Sequence, residues 1–293
     1  MGLYPRIGAL VNGGPADEAV LRYLGVLARD GRSESVEVIA APEKGSGVPV
    51  PRAHRIEQDL RAAGAPELAT RIAPEIHEEG DAGEILRFIK DHDLDLMVVG
   101  RRIPSHQLDH PELYPRLVGR SPCDMLLVTP YSPARFDRIL LPTDFSRHAR
   151  LALAASLKLA RVLGSPAAEI LCHHVFEIPY GYAYSGRTMA GFAEEQRGHA
   201  EDAFAEFVAG IPEGGIRIRC EYTPSRNVAE AVTGLALAMQ ADLVALGSRG
   251  RTAASALLVG SIAVRVLEIC AAPVLVVKEK GETLGFLEAL LPQ

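Results

Sequence analysis

The chain has 293 residues, of which 48% are hydrophobic, and its formal net charge at pH 7 is −6. This length favours two domains over one. The acidic balance and the scattered basic residues argue against a nucleic-acid-binding face, because a phosphate backbone is bound by a basic stripe. No secretory segment and no apolar run long enough to span a bilayer stand out, so we expect a soluble, cytoplasmic protein without a membrane partner.

Apolar runs alternate with helical patterns along the whole chain. This alternation is typical of an α/β fold, in which an open parallel sheet is covered by helices on both faces. The predicted strands lie near residues 6–11, 36–41, 69–76, 95–100 and 124–129, and then near residues 138–143, 168–175, 215–222, 242–247 and 273–278.

The two sets of strands belong to two copies of one repeat. Both copies begin with an apolar strand and an Ala/Leu-rich helix, and both end in an apolar strand. The segments that align are 6–12 with 138–144, 94–100 with 241–247, and 116–128 with 265–277. Residues 129–133 contain two prolines and no periodicity, which predicts a linker between the copies.

The repeat predicts two domains, at residues 1–130 and 136–280, and a C-terminal tail at residues 281–293. The last strand of each copy is an apolar edge that would otherwise stay unpaired. We therefore expect the copies to pack through residues 125–128 and 274–277 as an intrachain pseudo-dimer, and a further homodimer is compatible with this arrangement. Four widely spaced cysteines without a Cys-x-x-Cys pair predict buried thiols rather than a metal site.

A glycine motif follows the fourth strand of the second copy. Gly247 and Gly250 precede Gly260 and Ser261 in the spacing Gly-x2-Gly-x9-Gly-Ser, between a strand pattern and a helical pattern. Glycine lets the backbone approach a ligand closely, and the N–H groups at a helix N-terminus favour an anion. The motif predicts either a phosphate-binding loop, in which Ser261 is a cap or a donor, or a plain strand-to-helix turn capped by Ser261.

Three features of the second copy together resemble the ATP-binding branch of the universal stress protein family: this motif, the Pro-Thr-Asp-Phe-Ser segment at residues 142–146, and the strand end at His174 and Val175. The resemblance spans residues 136–278. It implies a Rossmann-like fold of the adenine nucleotide alpha hydrolase type that binds ATP, or ADP or AMP, with Mg²⁺ held through the phosphates. The binding residues that it implies are Pro142, Thr143, Asp144, Val175, Leu246, Gly247, Gly250, Arg251, Gly260, Ser261 and Ile262.

The resemblance also implies roles for these residues, each with a structural alternative. Asp144 would accept a hydrogen bond from the sugar or base of the adenosine moiety, or it would be an acidic residue near the N-cap Ser146. Val175 and Leu246 would form apolar walls around the adenine ring, or they would belong to the core. Arg251 would add positive charge at the phosphates, or it would point to solvent.

The first copy lacks these features. Asn12 stands in place of Asp144, Arg101 and Arg102 follow the first glycine, and residues 111–112, Pro-Glu, replace Gly260–Ser261. Proline supplies no N–H and a glutamate would repel phosphate, so this copy is predicted to bind no nucleotide. Two alternatives remain for the basic residues here: with His106 they bind another anion, or they are solvated.

No Walker motif and no other catalytic signature is present in the sequence, and no residue stands out as a catalytic base. Three functions remain open. The chain is an ATP-binding sensor or regulator of the stress response whose occupancy alters shape or the binding of a protein partner; or it is a slow, metal-dependent ATP hydrolase; or it is an assembly scaffold that binds no nucleotide.

Overall fold

A computed structural model describes residues 2–42, 53–62, 64–69, 75–77, 81–101, 113–178, 188–211, 214–249 and 260–279. In chain order the strands are β1 (Arg6–Val11), β2 (Ser35–Ala40), β3 (Glu75–Ile76), β4 (Leu96–Gly100), β5 (Asp124–Val128), β6 (Arg138–Pro142), β7 (Glu169–Phe176), β8 (Arg217–Pro224), β9 (Leu243–Gly247) and β10 (Val274–Val277). The helices are α1 (Asp17–Arg29), α2 (Ala53–Ala62), α3 (Pro66–Ala69), α4 (Ala82–Asp91), α5 (Leu113–Arg120), α6 (Arg147–Leu163), α7 (Met189–Val208), α8 (Val228–Ala238) and α9 (Ser261–Ile269).

All ten strands form one sheet in the order β3-β2-β1-β4-β5-β10-β9-β6-β7-β8. Neighbouring strands within each half are parallel, whereas β5 and β10 pair antiparallel, with Val276 opposite Met125 and Val274 opposite Leu127. The prediction that the two copies pack through their last strands is therefore confirmed. The pairing also removes two long apolar edges from the surface.

Each half has the same strand order, 3-2-1-4-5, with helices on both faces of the sheet. Successive side chains of a strand point to opposite faces, so the sheet separates two cores. On β10, Leu275 and Val277 lie in the core that also receives α1 and α6, while Val274 and Val276 lie in the core under α4, α5, α8 and α9. This is the predicted α/β architecture.

Two predicted strands are shifted. Of the strand expected at residues 69–76, the described residues show Glu75–Ile76 as strand, whereas Ala69 ends the short helix α3; residues 70–74 lie outside the described part. Pro66 opens α3, and proline suits the first helical position because its missing N–H has no intrahelical acceptor there. The strand expected at residues 215–222 begins and ends two residues later, as β8.

The linker predicted at residues 129–133 is bound to both halves. The Tyr23 hydroxyl on α1 donates to the carbonyl oxygen of Pro133 at 2.8 Å, and its ring packs edge-on against Phe136. The Thr129 hydroxyl donates to the carbonyl oxygen of Ala271 in the second half at 3.0 Å. These bonds hold the two halves in one orientation around the connection.

Two further observations concern the described part of the chain. None of its helices combines the length and the apolar character that crossing a bilayer requires. All four cysteines are free thiols, and Cys123, Cys172 and Cys270 are buried as predicted, whereas Cys220 is half-buried. Burial raises the pKa of Cys123 to about 12, so this thiol stays protonated at neutral pH.

Candidate functional site

The candidate site lies where the strand order of the second half reverses. β6 is flanked by β9 on one side and by β7 on the other, and all three strands run parallel. In open α/β sheets, ligands bind beyond the carboxyl ends of the strands at this switch point. The two loops that begin there carry Thr143 and Asp144 after β6, and Gly247 and Ser248 at the end of β9.

Both backbone polar groups of Thr143 and its hydroxyl oxygen form hydrogen bonds within the protein. Its N–H donates to the carbonyl oxygen of His173 at 2.9 Å, and its hydroxyl oxygen accepts the N–H of Phe145 at 2.9 Å. Its carbonyl oxygen lies 2.9 Å from Nδ1 of His174. Thr143 and the buried Pro142 before it therefore shape the floor of the site rather than offer hydrogen bonds to a ligand.

Asp144 forms the first hydrogen bond of the turn into α6. Its Oδ1 accepts the N–H of Ser146 at 3.0 Å, and the Ser146 side chain caps α6 by accepting the N–H of Ala149 at 3.3 Å. Asp144 is thus an acidic residue beside the N-cap Ser146, as its structural alternative predicted. The residue as a whole is half-buried.

Phe145 has a backbone conformation that sequence reasoning missed. Its φ is +62°, in the left-handed region, which costs a bulky residue on the order of 1–3 kcal/mol. Its ring stacks on the His174 ring with 4.5 Å between centroids, and it packs against Phe204 and Phe207 of α7. These aromatic contacts hold the loop that carries Asp144 onto β7 and α7.

Gly247 has a packing role that the sequence did not reveal. A Cβ atom at this position would lie 2.6 Å from the carbonyl carbon of His148, which is closer than real Cβ contacts come. The first turn of α6 therefore crosses directly over the end of β9. The absence of a side chain at Gly247 is required by this crossing, whether or not a ligand is bound.

The start of α9 is brought to the end of β9. The N–H of Gly260 donates to the carbonyl oxygen of Ser248 at 3.0 Å, so the chain returns to the point at which it left the strand. Gly260 is the N-cap of α9 and, as a glycine, makes no side-chain cap hydrogen bond. The prediction that Ser261 is the cap is therefore wrong: Ser261 is the first helical residue, and it is exposed together with Ile262.

The other predicted site residues take different positions. Val175 lies near the end of β7 and is half-buried beside Thr223. Leu246 is buried in the core under α8 and α9, so only its backbone faces the switch point. Gly250 and Arg251 lie outside the described residues.

A buried histidine lies beneath the site. Nε2 of His173 is 3.0 Å from the hydroxyl of Thr223, and its Nδ1 has no hydrogen-bond partner among the described residues. Burial, with a smaller contribution from His174, lowers the pKa of His173 to about 4. His173 is therefore neutral at physiological pH and adds no positive charge to the site.

The corresponding loop of the first half has the same backbone but a different charge. Oδ1 of Asn12 accepts the N–H of Gly14 at 2.9 Å, and Gly13 has a φ of +79°. The Asp17 carboxylate accepts the N–H groups of Asn12 and Gly13 at 3.1 and 2.8 Å. Burial raises the pKa of Asp17 to about 6, although these two hydrogen bonds lower it. A carboxylate of the protein itself thus occupies the amides of this loop.

Both alternatives for Arg101 are wrong. The residue is neither solvated nor placed to bind an anion, because it is 3% exposed and points across the junction between the halves. Its guanidinium donates to the carbonyl oxygens of Leu267, Cys270 and Ala272 at 3.2, 2.5 and 2.7 Å. Burial lowers its pKa to about 10, which leaves it charged at neutral pH. Arg102 and His106 lie outside the described residues.

Comparisons with known proteins agree with this architecture. Residues 135–278 match the family model described as the universal stress protein family. A functionally unknown protein from Pseudomonas aeruginosa PAO1 has the same fold at 18% sequence identity and a TM-score of 0.63, with 98% of this chain and 96% of that chain covered. A universal stress protein from Archaeoglobus fulgidus DSM 4304 aligns at 19% identity and a TM-score of 0.61, covering 96% and 98%.

No curated protein matches the chain significantly. The two solved structures are matched over almost their full length, so the likeness includes both halves and the sheet that joins them. At these identities it shows the fold alone. The match that points to a family is carried by the second half of the chain, and that family is the universal stress protein family.

Proposed function

We propose that the chain is a tandem universal stress protein whose second half binds one adenine nucleotide and acts as a sensor or regulator of the stress response. The observation that carries this proposal is the hydrogen bond from Gly260 N–H to the Ser248 carbonyl oxygen. It brings the start of α9, where the N-cap is a glycine, to the end of β9, beside the loop of Asp144 at the switch point. The family match over residues 135–278 supports the same assignment.

The described residues fit this ligand in chemical terms. The first N–H groups of α9 have no intrahelical acceptor, their N-cap Gly260 offers no side-chain acceptor, and they lie at the positive end of the helix dipole, which suits phosphates. Asp144 is an acceptor suited to a sugar hydroxyl or a base amino group. In this assignment Val175 and the backbone of Leu246 border the adenine, and Gly250, Arg251, Gly260, Ser261 and Ile262 surround the phosphates.

The nucleotide is ATP, ADP or AMP, and Mg²⁺ would be held through its phosphates. Occupancy would be read out by a change in shape or in binding to a protein partner. Each neighbouring element reaches the site through a contact already described: α6 through Gly247, and α7 through the ring of Phe145. A ligand at the switch point would therefore bear on both helices.

The adenosine contact is tested by a pair of equivalent substitutions. Asp144→Ala removes the carboxylate from the second half, and Asn12→Ala removes its counterpart from the first. We expect calorimetric titration with ATP and Mg²⁺ to show a loss of about 1–3 kcal/mol for Asp144→Ala and no change for Asn12→Ala. Equal affinities in the two variants would contradict the assignment, and a wild-type chain that binds no nucleotide would favour the scaffold function.

The phosphate contact is tested at the first residue of α9. Gly260 has an extended ψ of 139°, which a following proline requires, so Ser261→Pro fits the helix start while it deletes one N–H and the hydroxyl. Ser261→Ala deletes the hydroxyl alone and serves as its control. We expect Ser261→Pro to weaken ATP binding while adenosine binding is unchanged. Unchanged ATP affinity in both variants would remove α9 from the site.

A further inference from the structure

The structure assigns Arg101 of the first half as a positioning residue for α9. In the proposed function the start of this helix binds the phosphates of the nucleotide, and this inference rests on that proposed function. Arg101 follows β4, and its guanidinium donates to the carbonyl oxygen of Leu267 in the last turn of α9, to that of the C-cap Cys270, and to that of Ala272 in the connection to β10. The half of the chain that has lost the binding motif thus holds the far end of the helix that carries it.

The carboxyl end of α9 has one backbone cap bond, from the N–H of Cys270 to the carbonyl oxygen of Val266, and Arg101 adds side-chain donors to it. Its last turn contains no basic residue, and its C-cap, Cys270, is extended rather than left-handed. The last carbonyls of a helix require donors, and a cation is favoured there by the helix dipole. Arg101 supplies both the donors and the charge from a buried position.

Holding one end of α9 orients the other. The helix has nine residues and is therefore a rigid rod of about 14 Å. Its buried side chains, Ala263, Val266 and Leu267, set its distance from the sheet, and the Gly260–Ser248 hydrogen bond fixes its start. The guanidinium limits rotation and sliding along the axis, which determine where the first N–H groups point.

The reciprocal contact is weaker. Lys278, after β10 in the second half, donates from Nζ to the carbonyl oxygen of Gly119 in α5 at 3.4 Å. Each half therefore reaches the carboxyl end of a helix in the other. The buried guanidinium donates to Leu267 in α9 and to two carbonyl oxygens just after the helix, whereas the bond from Lys278 to α5 is long. The stronger restraint is applied to the helix that starts at the candidate phosphate site.

The test separates ligands that contain phosphate from one that does not. Arg101→Met removes the donors and the charge, and Arg101→Lys keeps the charge but loses the fork. We expect ATP affinity to fall on the order of threefold to thirtyfold in Arg101→Met and less in Arg101→Lys, with adenosine affinity unchanged, because adenosine does not use α9. Amide hydrogen exchange within residues 261–269 should become faster, with β6 and β7 unaffected.

A destabilised first half serves as the control. Leu24→Ala opens a cavity in the core on the other face of the sheet, away from α9. It should leave the ATP-to-adenosine affinity ratio and the exchange of α9 as in the wild type. If Arg101→Met does not fold, Arg101→Lys decides.

Two outcomes overturn the inference. One is unchanged α9 exchange in a folded Arg101 variant, and the other is an equal loss for ATP and adenosine. If the wild-type chain binds no ATP, the proposed function fails separately, and the exchange measurement alone decides whether Arg101 holds α9.

Discussion

The two halves share one backbone design at the switch point and differ in what fills it. After β1 and after β6, an Asn or Asp side chain accepts the N–H two residues later, and the residue between them has a left-handed φ. In the first half that residue is Gly13 and a carboxylate, Asp17, takes the loop amides. In the second half it is Phe145, and the position equivalent to Asp17 is Ala149.

The glycine that ends the fourth strand has the same packing role in both halves. A Cβ at Gly100 would lie 2.8 Å from the Cβ of Ala16, as one at Gly247 would lie 2.6 Å from the backbone of His148. Both glycines admit the helix that follows the first strand of their half. This glycine remains in the half that lost the rest of the motif because the fold itself requires it.

We expect the largest effect from a substitution that disrupts the pairing of β5 with β10, which joins the two halves. Val276→Pro removes an N–H from a strand that lies between β5 and β9, and should lower the free energy of unfolding by about 3 kcal/mol or more. Limited proteolysis should then cut faster near residues 129–133. Ile76→Pro in the two-residue outer strand β3 is the control, with a much smaller loss expected. A Val276→Pro chain as resistant as the wild type would refute the role of this pairing.

The second prediction concerns the packing role of the glycine that both halves share. We expect Gly247→Ala and Gly100→Ala each to lower the free energy of unfolding by about 1–3 kcal/mol, because the added methyl group meets the neighbouring helix. Gly247→Ala should cost more, since its methyl group meets backbone rather than a side chain. Denaturant unfolding of the two variants measures the difference. A neutral Gly100→Ala, with Gly247→Ala affecting only nucleotide binding, would show that packing does not require the glycine.

The third prediction concerns a variant that gives the second half the carboxylate that Asp17 provides in the first half. Ala149→Asp places an acid where Asp17 lies in the repeat, at the start of the helix beside the loop of Asp144. We expect ATP affinity to fall by about 1–2 kcal/mol because the added carboxylate repels the phosphates. Ala149→Asn is the uncharged control and should lose less in a titration of the two proteins. Equal losses would mean that the charge at this position does not separate the halves.

The smallest effect is a pH dependence in the first half. The folded-state pKa of Asp17, about 6, lies above its ordinary value of 3.8. The stabilisation that goes with its protonated form is therefore present below pH 3.8 and is lost as the pH rises through 6. Unfolding of wild type and Asp17→Asn from about pH 4 to 7 should show the wild type losing stability relative to the variant. The slope is modest because water screens this half-buried side chain, and parallel curves would contradict it.

Much of the fold was predictable because it depends on local patterns. Apolar runs predicted nine of the ten strands to within two residues, and the apolar edges at Met125 and Val276 predicted how the halves join. Ala69 was placed in the third strand but ends α3, because a short apolar segment does not distinguish a strand from a helix, and Pro66 was the signal for the helix. The domain boundaries and the C-terminal tail remain predictions.

The candidate site was less predictable because its contacts are distant in sequence. The packing of Gly247 depends on α6, far earlier in the chain, and Arg101 meets α9 across the junction of the halves. One signal was available: the last turn of α9 has no basic residue and no glycine cap, so a donor had to come from elsewhere. The left-handed Phe145 had a signal as well, since Gly13 stands at the equivalent position of the repeat.

The central claim is that one half of this two-half protein binds the nucleotide. Calorimetric titration of the wild-type chain with ATP and Mg²⁺ measures the number of sites directly. We expect one nucleotide per chain, with binding weakened by Asp144→Ala and not by Asn12→Ala. Two nucleotides per chain would contradict it, because the Asp17 carboxylate would then not close the first site.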